Sequence, residues 1–561
     1  MNYQRFIKFI ENFKVYIIVN IVIIIFLIHT LFNISSEEKF NLIKLNNLIE
    51  SRYNPQISLP LSLRFDAVDT IKVRDAKIQN SFLGEYLKRA PELNYQAKDL
   101  SSLSKNNLEK QYLRLNSKIL NTLRESHTSI INDISKKNFF KQANFIKKYN
   151  GDGIVFVGGG DHSAMVYAII KVIRILTRKL PIEVLIPDMA IQESDVNFCN
   201  MIQDMNAKCI YLKDYFENEF FNYKTYQYKS LALLLSSFDN VLLLDADDYP
   251  LVNLDNIFDH KTFKENGMIV WPDMWHRTTH PFFYESGNKK INMNHKVRSF
   301  LDSYSNNYKN NDVFHDYQGT LPDPASETGQ LMINKTRHFK TLLLSYYYNL
   351  YGPSVFYHLL TQLGAGQGDK ETFIAAAHML NLPFYQVFSS SSLDGVFQND
   401  NFKSTGYYQK DFRLDSLIKD KIMENTVQTN EDSLIINDLN KFKDIKEIPV
   451  QNLHFQGDKT TNFIMFAHIN FPKFHPLTLA YHKEYYNEKG HYRALSLKKN
   501  IGFIDLEREV CNVYYNVFCL NKEDPFKQLV DNERLINKDI LCTYYKNRTE
   551  YLNNTSLLTM I

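Results

Sequence analysis

The sequence predicts an α/β protein built on a parallel, doubly wound sheet, preceded by a polar N-terminal segment and an apolar anchor. Three observations predict it. From Gly151 onward, short apolar runs with strand character alternate with helical patterns. The first run passes into a glycine loop, Gly158-Gly159-Gly160, that opens a helix. The fourth run, inside NVLLLDADDYPL (Asn240 to Leu251), ends a buried strand in three carboxylates.

Val15 to Phe32 (VYIIVNIVIIIFLIHTLF) is a nearly unbroken apolar run, close to the ~20 residues that cross a bilayer as a helix. Arg5, Lys8 and Lys14 precede it, and Glu37 and Glu38 follow. The positive-inside rule therefore keeps residues 1–14 cytosolic and sends everything after Phe32 across. The run exceeds a usual leader core, and Asn33-Ile34-Ser35 offers no small-x-small cleavage site, so 15–32 is expected to be a signal anchor. Residues 33–150 are polar and rich in Ser, Asn and Lys, and read as a stem that packs on the domain near its end. The net charge of +3, with lysines and aspartates mixed throughout, gives no basic face for nucleic acid.

Placement beyond the membrane makes Asn334, Asn547, Asn553 and Asn554 candidate N-glycan acceptors, since each opens an N-x-S/T sequon. It also permits disulfides. Nearest-neighbour pairing of the five cysteines gives Cys199–Cys209 and Cys511–Cys519, with Cys542 left over. No C-x-x-C is present, which argues against zinc and redox chemistry.

Catalytic-domain elements are expected in the order strand 153–157, glycine loop, helix 164–180, strand 182–186, helix 196–204, strand 207–212 and helix 226–238. The acidic strand follows. Glycines at a helix N-terminus let backbone N–H groups approach a nucleotide, so Gly158, Gly159 and Gly160 are candidate donor contacts. A dehydrogenase would have no use for the carboxylates at the next switch point, so NAD is not expected.

Asp245 and Asp247 leave a buried strand at i and i+2, where two unpaired charges would each cost several kcal/mol. A divalent cation removes that cost and can bind phosphate oxygens as well. A solvated turn is the plainer reading of any D-x-D, but the carboxyl end of an α/β strand is where ligands collect. Lys229, near the start of the preceding helix, lies on the same side and could reach a phosphate, although a solvated lysine would look the same.

Both tryptophans, Trp271 and Trp275, fall in WPDMWHRTTHPFFYES. Rings interleaved with His, Arg and Asp suit a carbohydrate face; aromatic core is the competing reading in a chain with 14% aromatic residues. Asp369, in GAGQGDKETF, starts a helix over 370–380 as a ligand group or only as an N-cap. Residues 389–450 read as irregular loops and a peripheral insertion. NFIMFAH delivers His468 at a strand end, followed by Lys473: a candidate metal ligand and a candidate diphosphate contact.

FVGGGDHSAMVYAIIKVIR, LPIEVLIP, KSLALLLSSFDNVLLLDADDYPL, SETGQLMINKTRHF, YYYNLYGP and GAGQGDKETFIAAAHMLNLPFYQV together resemble the fungal mannosyltransferases of glycosyltransferase family 71, from about Gly151 to Pro476. The resemblance implies a GT-A fold with a Rossmann-like central sheet, catalytic domain 151–561. It implies a Golgi type II membrane enzyme using Mn²⁺ and GDP-mannose on a mannan or N-glycan acceptor, in association with other mannosyltransferases. The α-1,2-branching members look most similar; α-1,3 capping is the alternative, and a non-catalytic mannan-binding relative the rival of another class.

By that resemblance Asp245, Asp247 and His468 hold the metal, and Gly158, Gly159, Gly160, Lys229, Asp245 and Lys473 meet the donor. The assignment of Lys229 draws on a more distant similarity to glycogenin-like transferases. Glu327 and Asp369 are then the catalytic candidates, with Gln330 as positioner. An α-donor giving an α-linkage means retention, through a carboxylate nucleophile or through same-face departure assisted by the phosphate. The pattern departs at Gln367, where Glu is expected, and the spacing to Lys473 is one residue short.

Overall fold

The computed structural model describes residues 42–55, 83–94, 99–136, 149–188, 193–215, 225–297, 312–398, 401–424, 464–495, 504–521 and 537–556, with residues 97, 223 and 526 and the strand pieces 427–428 and 434–435. The expected cytosolic tail (1–14) and anchor (15–32) lie outside the described residues. Among those described, no helix is long and apolar enough to cross a membrane.

The strands of the two main sheets are β1 (Asp152–Val157), β2 (Ile182–Ile186), β3 (Ala207–Tyr211), β4 (Asn240–Leu244), β5 (Asp248–Pro250), β6 (Met268–Pro272), β7 (Ser326–Asn334), β8 (Tyr385–Gln386), β9 (Ser392–Gln398), β10 (Asn401–Lys410) and β11 (Ile464–Ile469). The larger sheet has seven strands in the order β8-β6-β7-β4-β1-β2-β3. Its β4, β1, β2 and β3 run parallel, as expected. β7 does not: it inserts antiparallel to both β4 and β6. The sheet is therefore a mixed α/β sheet rather than a wholly parallel one. β7 is buried on both faces, so its apolar run reads like that of a parallel strand, which explains the miss.

The second sheet has four strands, β9-β10-β11-β5, all antiparallel. Its β9 and β10 correct the expectation of irregular loops for part of 389–450, because they pair with each other and β10 pairs in turn with β11.

Each face of the larger sheet covers its own core. Alternate residues of β1 divide between them: Ile154 and Phe156 join one cluster and Val155 the other. The first core takes in β11 and the C-terminal helices Leu506–Tyr515 and Lys538–Thr555. The second takes in Leu42, Leu45 and Ile49 of the helix Leu42–Tyr53, and Leu123 and Ile130 of the helix Leu120–Ser135. At about 1.5–3 kcal/mol for each fully buried aliphatic side chain, these contacts fix the described part of the 33–150 segment against the sheet.

Cys199 and Cys209 form a disulfide, as expected. The second disulfide is Cys519–Cys542, not Cys511–Cys519, and Cys511 is free and buried. Among the sequons, Asn547 and Asn554 are exposed. The amide of Asn334 instead donates to Asp239 Oδ2 at 3.0 Å and to Asn240 Oδ1 at 2.7 Å.

Candidate active site

β4 supplies four fully or almost fully buried residues, Val241 to Leu244, and the chain turns at Asp245-Ala246-Asp247 before β5. β5 then pairs with β11 so that Asp248 lies opposite His468. The turn is thereby clamped between the two sheets, and ligand atoms of Asp245, Asp247 and His468 come within 4.8 Å of one another. His468 Nε2 is 3.5 Å from Asp247 Oδ1. Two carboxylates and an imidazole suit a divalent ion of the manganese kind, so the residues present fit the metal the resemblance implies.

Asp248 differs from its neighbours. It is fully buried, and neither carboxylate oxygen has a hydrogen-bond partner among the described residues. Burial holds its carboxyl well above the usual range. Gly329 packs over it: a Cβ there would stand 2.7 Å from the His468 ring and 3.2 Å from Asp248 Oδ2. Only a glycine lets this histidine approach the turn.

Lys229 sits in the first turn of the helix Gln227–Leu235. Its Nζ lies 2.8 Å from Asp245 Oδ2 and 3.7 Å from Asp369 Oδ2, and donates to Thr328 O at 3.1 Å. Burial opposes its charge, but Asp245 and Asp369 outweigh burial and hold the ammonium well above its ordinary pKa. Lys473 Nζ is 3.0 Å from Asp247 Oδ2 on a half-exposed side chain. Burial pushes Asp247 up, yet His468 and Lys473 more than offset it and keep the carboxylate ionised. Each lysine is thus a counter-ion of one carboxylate of the turn.

Glu327 lies just before a register break in β7, between Glu327 and Leu331, which turns it out of the regular ladder. Its Oε1 accepts from Thr328 N and Gly329 N, both at 2.8 Å, and its Oε2 accepts from Tyr407 OH at 2.7 Å. Burial raises its pKa, but His468, Lys370 and Lys229 bring it below the usual value, so it is an anion. Asp369 accepts from Thr328 Oγ1 at 3.0 Å, and burial pushes it up to about 6 against the pull of Lys229. It does not cap the following helix, Thr372–Met379, whose N-cap residue is Glu371.

Two of the expected site groups have partners within the chain. Gln330 is fully buried and donates to Gln409 of β10, tying the two sheets together. The glycine loop stands at the carboxyl end of β1, beside β4, but its N–H groups are used internally. Gly158 donates to Leu185 O, Gly159 to Ser163 Oγ and Gly160 to Asp195 Oδ1. Gly159 and Gly160 have φ of 93° and 53°, so the glycines serve the turn itself. Trp271 is core, its Nε1 donating to Lys410 O at 2.8 Å, whereas Trp275 lines a cavity beside Glu327.

Sequence reasoning missed Tyr407. It pairs with His468 across β10 and β11, and its hydroxyl is 3.0 Å from His468 Nδ1. Thr328, which touches both Lys229 and Asp369, was missed as well.

Comparison with known proteins decides the family. The Mannosyl_trans3 mannosyltransferase model matches residues 151–458. The chain belongs to this mannosyltransferase family. The alpha-1,2-mannosyltransferase MNN2 of Saccharomyces cerevisiae is 37% identical over 480 residues, covering 82% of this chain and 78% of its own. The alpha-1,2-mannosyltransferase MNN5 of the same yeast is 34% identical over 485 residues, covering 81% and 82%. Among solved structures, the glycosyltransferase GlyE of Streptococcus pneumoniae aligns over 43% of this chain and 46% of its own, at 13% identity and a TM-score of 0.26. In this mannosyltransferase the matched span holds Asp245, Asp247, Glu327 and Asp369 and ends ahead of His468 and Lys473.

Proposed function

We propose that this chain is a Golgi type II α-1,2-mannosyltransferase that moves mannose from GDP-mannose to an α-1,6-linked mannan or N-glycan outer chain. The observation that carries this reading is the convergence of Asp245, Asp247 and His468 at the end of a buried strand, in a chain of a mannosyltransferase family. These three residues would hold Mn²⁺. When bound, that ion supplies Lewis-acid neutralisation of the charge that develops on the departing diphosphate.

The remaining work falls to the chain itself. Lys229 and Lys473, paired here with Asp245 and Asp247, would offer their charge to the donor phosphates. Glu327 is an anion held by two backbone N–H groups and a tyrosine hydroxyl, which keeps it oriented while oxocarbenium character grows on the sugar. Asp369 and Thr328 hold a donor hydroxyl. Gly158–Gly160 form a wall of the donor site. Association with other mannosyltransferases completes the reading.

The test is a transfer assay with linkage analysis. Full-length protein in detergent, given GDP-mannose, Mn²⁺ and α-1,6-mannobiose, is expected to yield a product with a new α-1,2-linked mannose. An α-1,3 linkage would move the chain to the capping enzymes, and no transfer would overturn the reading.

A further inference from the structure

A cavity of about 480 Å³ opens beside Glu327 and Tyr407, within the ~300–1,000 Å³ range of small-molecule sites. Its lining separates it from the donor side. Neither Lys229 nor Lys473 lines it. Its charged residues are Arg89, Glu92, Asp273 and Glu327, one cation against three acids. Arg89 pairs with Glu92 and Asp273 with the buried Lys370, so the lining offers no uncommitted cation to a diphosphate and suits a neutral, polyhydroxylated molecule.

The aromatic groups agree. Tyr226 and Phe471 keep 40% and 54% of their surface exposed, and with Trp275 they line the cavity. Ring faces stack on the CH groups of a sugar, and the acids and guanidinium accept from and donate to its hydroxyls.

Arg89 and Glu92 come from the segment ahead of the catalytic sheet. That segment is docked through its backbone: Ala90 N donates to Gln362 O at 3.1 Å, and His276 N to Leu93 O at 2.8 Å. Arg89 Nε donates to Leu363 O at 2.9 Å, which leaves its Nη2 3.3 Å from Glu92 Oε1 at the rim. Both side chains stay accessible, at 39% and 42%.

We propose that this cavity is the acceptor subsite, taking an α-linked mannose unit of the glycan acceptor, and that Arg89 and Glu92 read its hydroxyls. The segment expected to be a stem thereby contributes one wall of the substrate site. The inference rests on the mannosyltransferase reading above.

Saturation-transfer NMR of full-length protein in detergent with GDP, Mn²⁺ and α-1,6-mannobiose reads the subsite without requiring transfer. Wild type is expected to bind mannobiose. Glu92→Gln and Phe471→Ala, both at accessible side chains, are expected to bind it about tenfold or more weakly, with GDP affinity unchanged. Equal mannobiose binding in all three proteins, no binding by wild type, or GDP affinity falling in step would overturn the assignment. Glu92-dependent binding without any mannosyl transfer would uphold the subsite and sink the catalytic reading alone.

Discussion

Tyr407 donates a 2.7 Å hydrogen bond to Glu327 Oε2. A phenol has one proton, so the same oxygen, 3.0 Å from His468 Nδ1, accepts from that ring nitrogen. Nδ1 then carries a hydrogen whichever charge the ring has, and Nε2, the nitrogen facing Asp247, is the one that would meet a metal once its own proton is lost. One side chain thus sets the tautomer of a candidate metal ligand and the orientation of the candidate catalytic carboxylate.

Tyr407→Phe keeps the ring and removes both contacts. Loss of such a supporting hydrogen bond typically costs 10- to 100-fold in metal affinity or activity. The Mn²⁺ concentration for half-maximal transfer is expected to rise about tenfold or more and kcat to fall, with little change in Tm. Wild-type kcat and Mn²⁺ activation in the variant would show that the hydroxyl only fills space.

Asp369 links pH to stability. Its pKa is pushed from 3.8 to about 6 in the folded protein by burial. The raised value means that its contribution is fully present below pH 3.8 and is lost as pH rises through about 6, where folding must bury a carboxylate. Asn mimics the neutral acid, so Asp369→Asn should stabilise the metal-free protein by up to about 3 kcal/mol at pH 7.5. The gain should shrink toward zero as pH falls to 4, while transfer activity is lost. Urea unfolding across that range measures it; a gain that does not vary with pH would contradict the burial argument.

The cysteine assignment has a direct check. Peptide mapping without reduction should find Cys199–Cys209 and Cys519–Cys542 linked, and Cys511 alkylated only after unfolding, because burial pushes its thiol up to about 12. Cys542→Ser should cost about 3 kcal/mol, as expected for opening a loop of this length. A linked Cys511 would refute the assignment.

What was legible in the sequence was local. Val241 to Leu244 followed by Asp245 reads as a buried strand ending in ligands, because an unbroken apolar run and paired acids are both written contiguously. Lys229 and His468 were legible because each falls within one turn or at the end of such an element. Residues joined only by tertiary structure were not. Tyr407 belongs to a strand whose first half is polar apart from Phe402, and its importance comes from pairing with His468 across 61 positions. Cys542 meets Cys519 because the C-terminal helix packs on the one before it, a contact that nearest-neighbour pairing ignores. Gly329 showed no turn signal; its role is to leave room for a ring from another sheet. The glycine loop reads two ways in sequence, since the pattern that accommodates a phosphate also makes a tight turn whose N–H groups bond within the chain.

The most direct measurement is mannosyl transfer by Asp247→Asn against wild type, with Mn²⁺ and with chelator. Asn keeps the size of the side chain and removes an anionic ligand from the cluster with Asp245 and His468. Wild type should lose transfer in chelator and regain it with Mn²⁺, and Mn²⁺ with GDP should raise its Tm. The variant should be slower by about two orders of magnitude or more with Mn²⁺ present, with a much smaller Tm rise. Transfer by Asp247→Asn at the wild-type rate in chelator would contradict metal-dependent mannosyl transfer at this site.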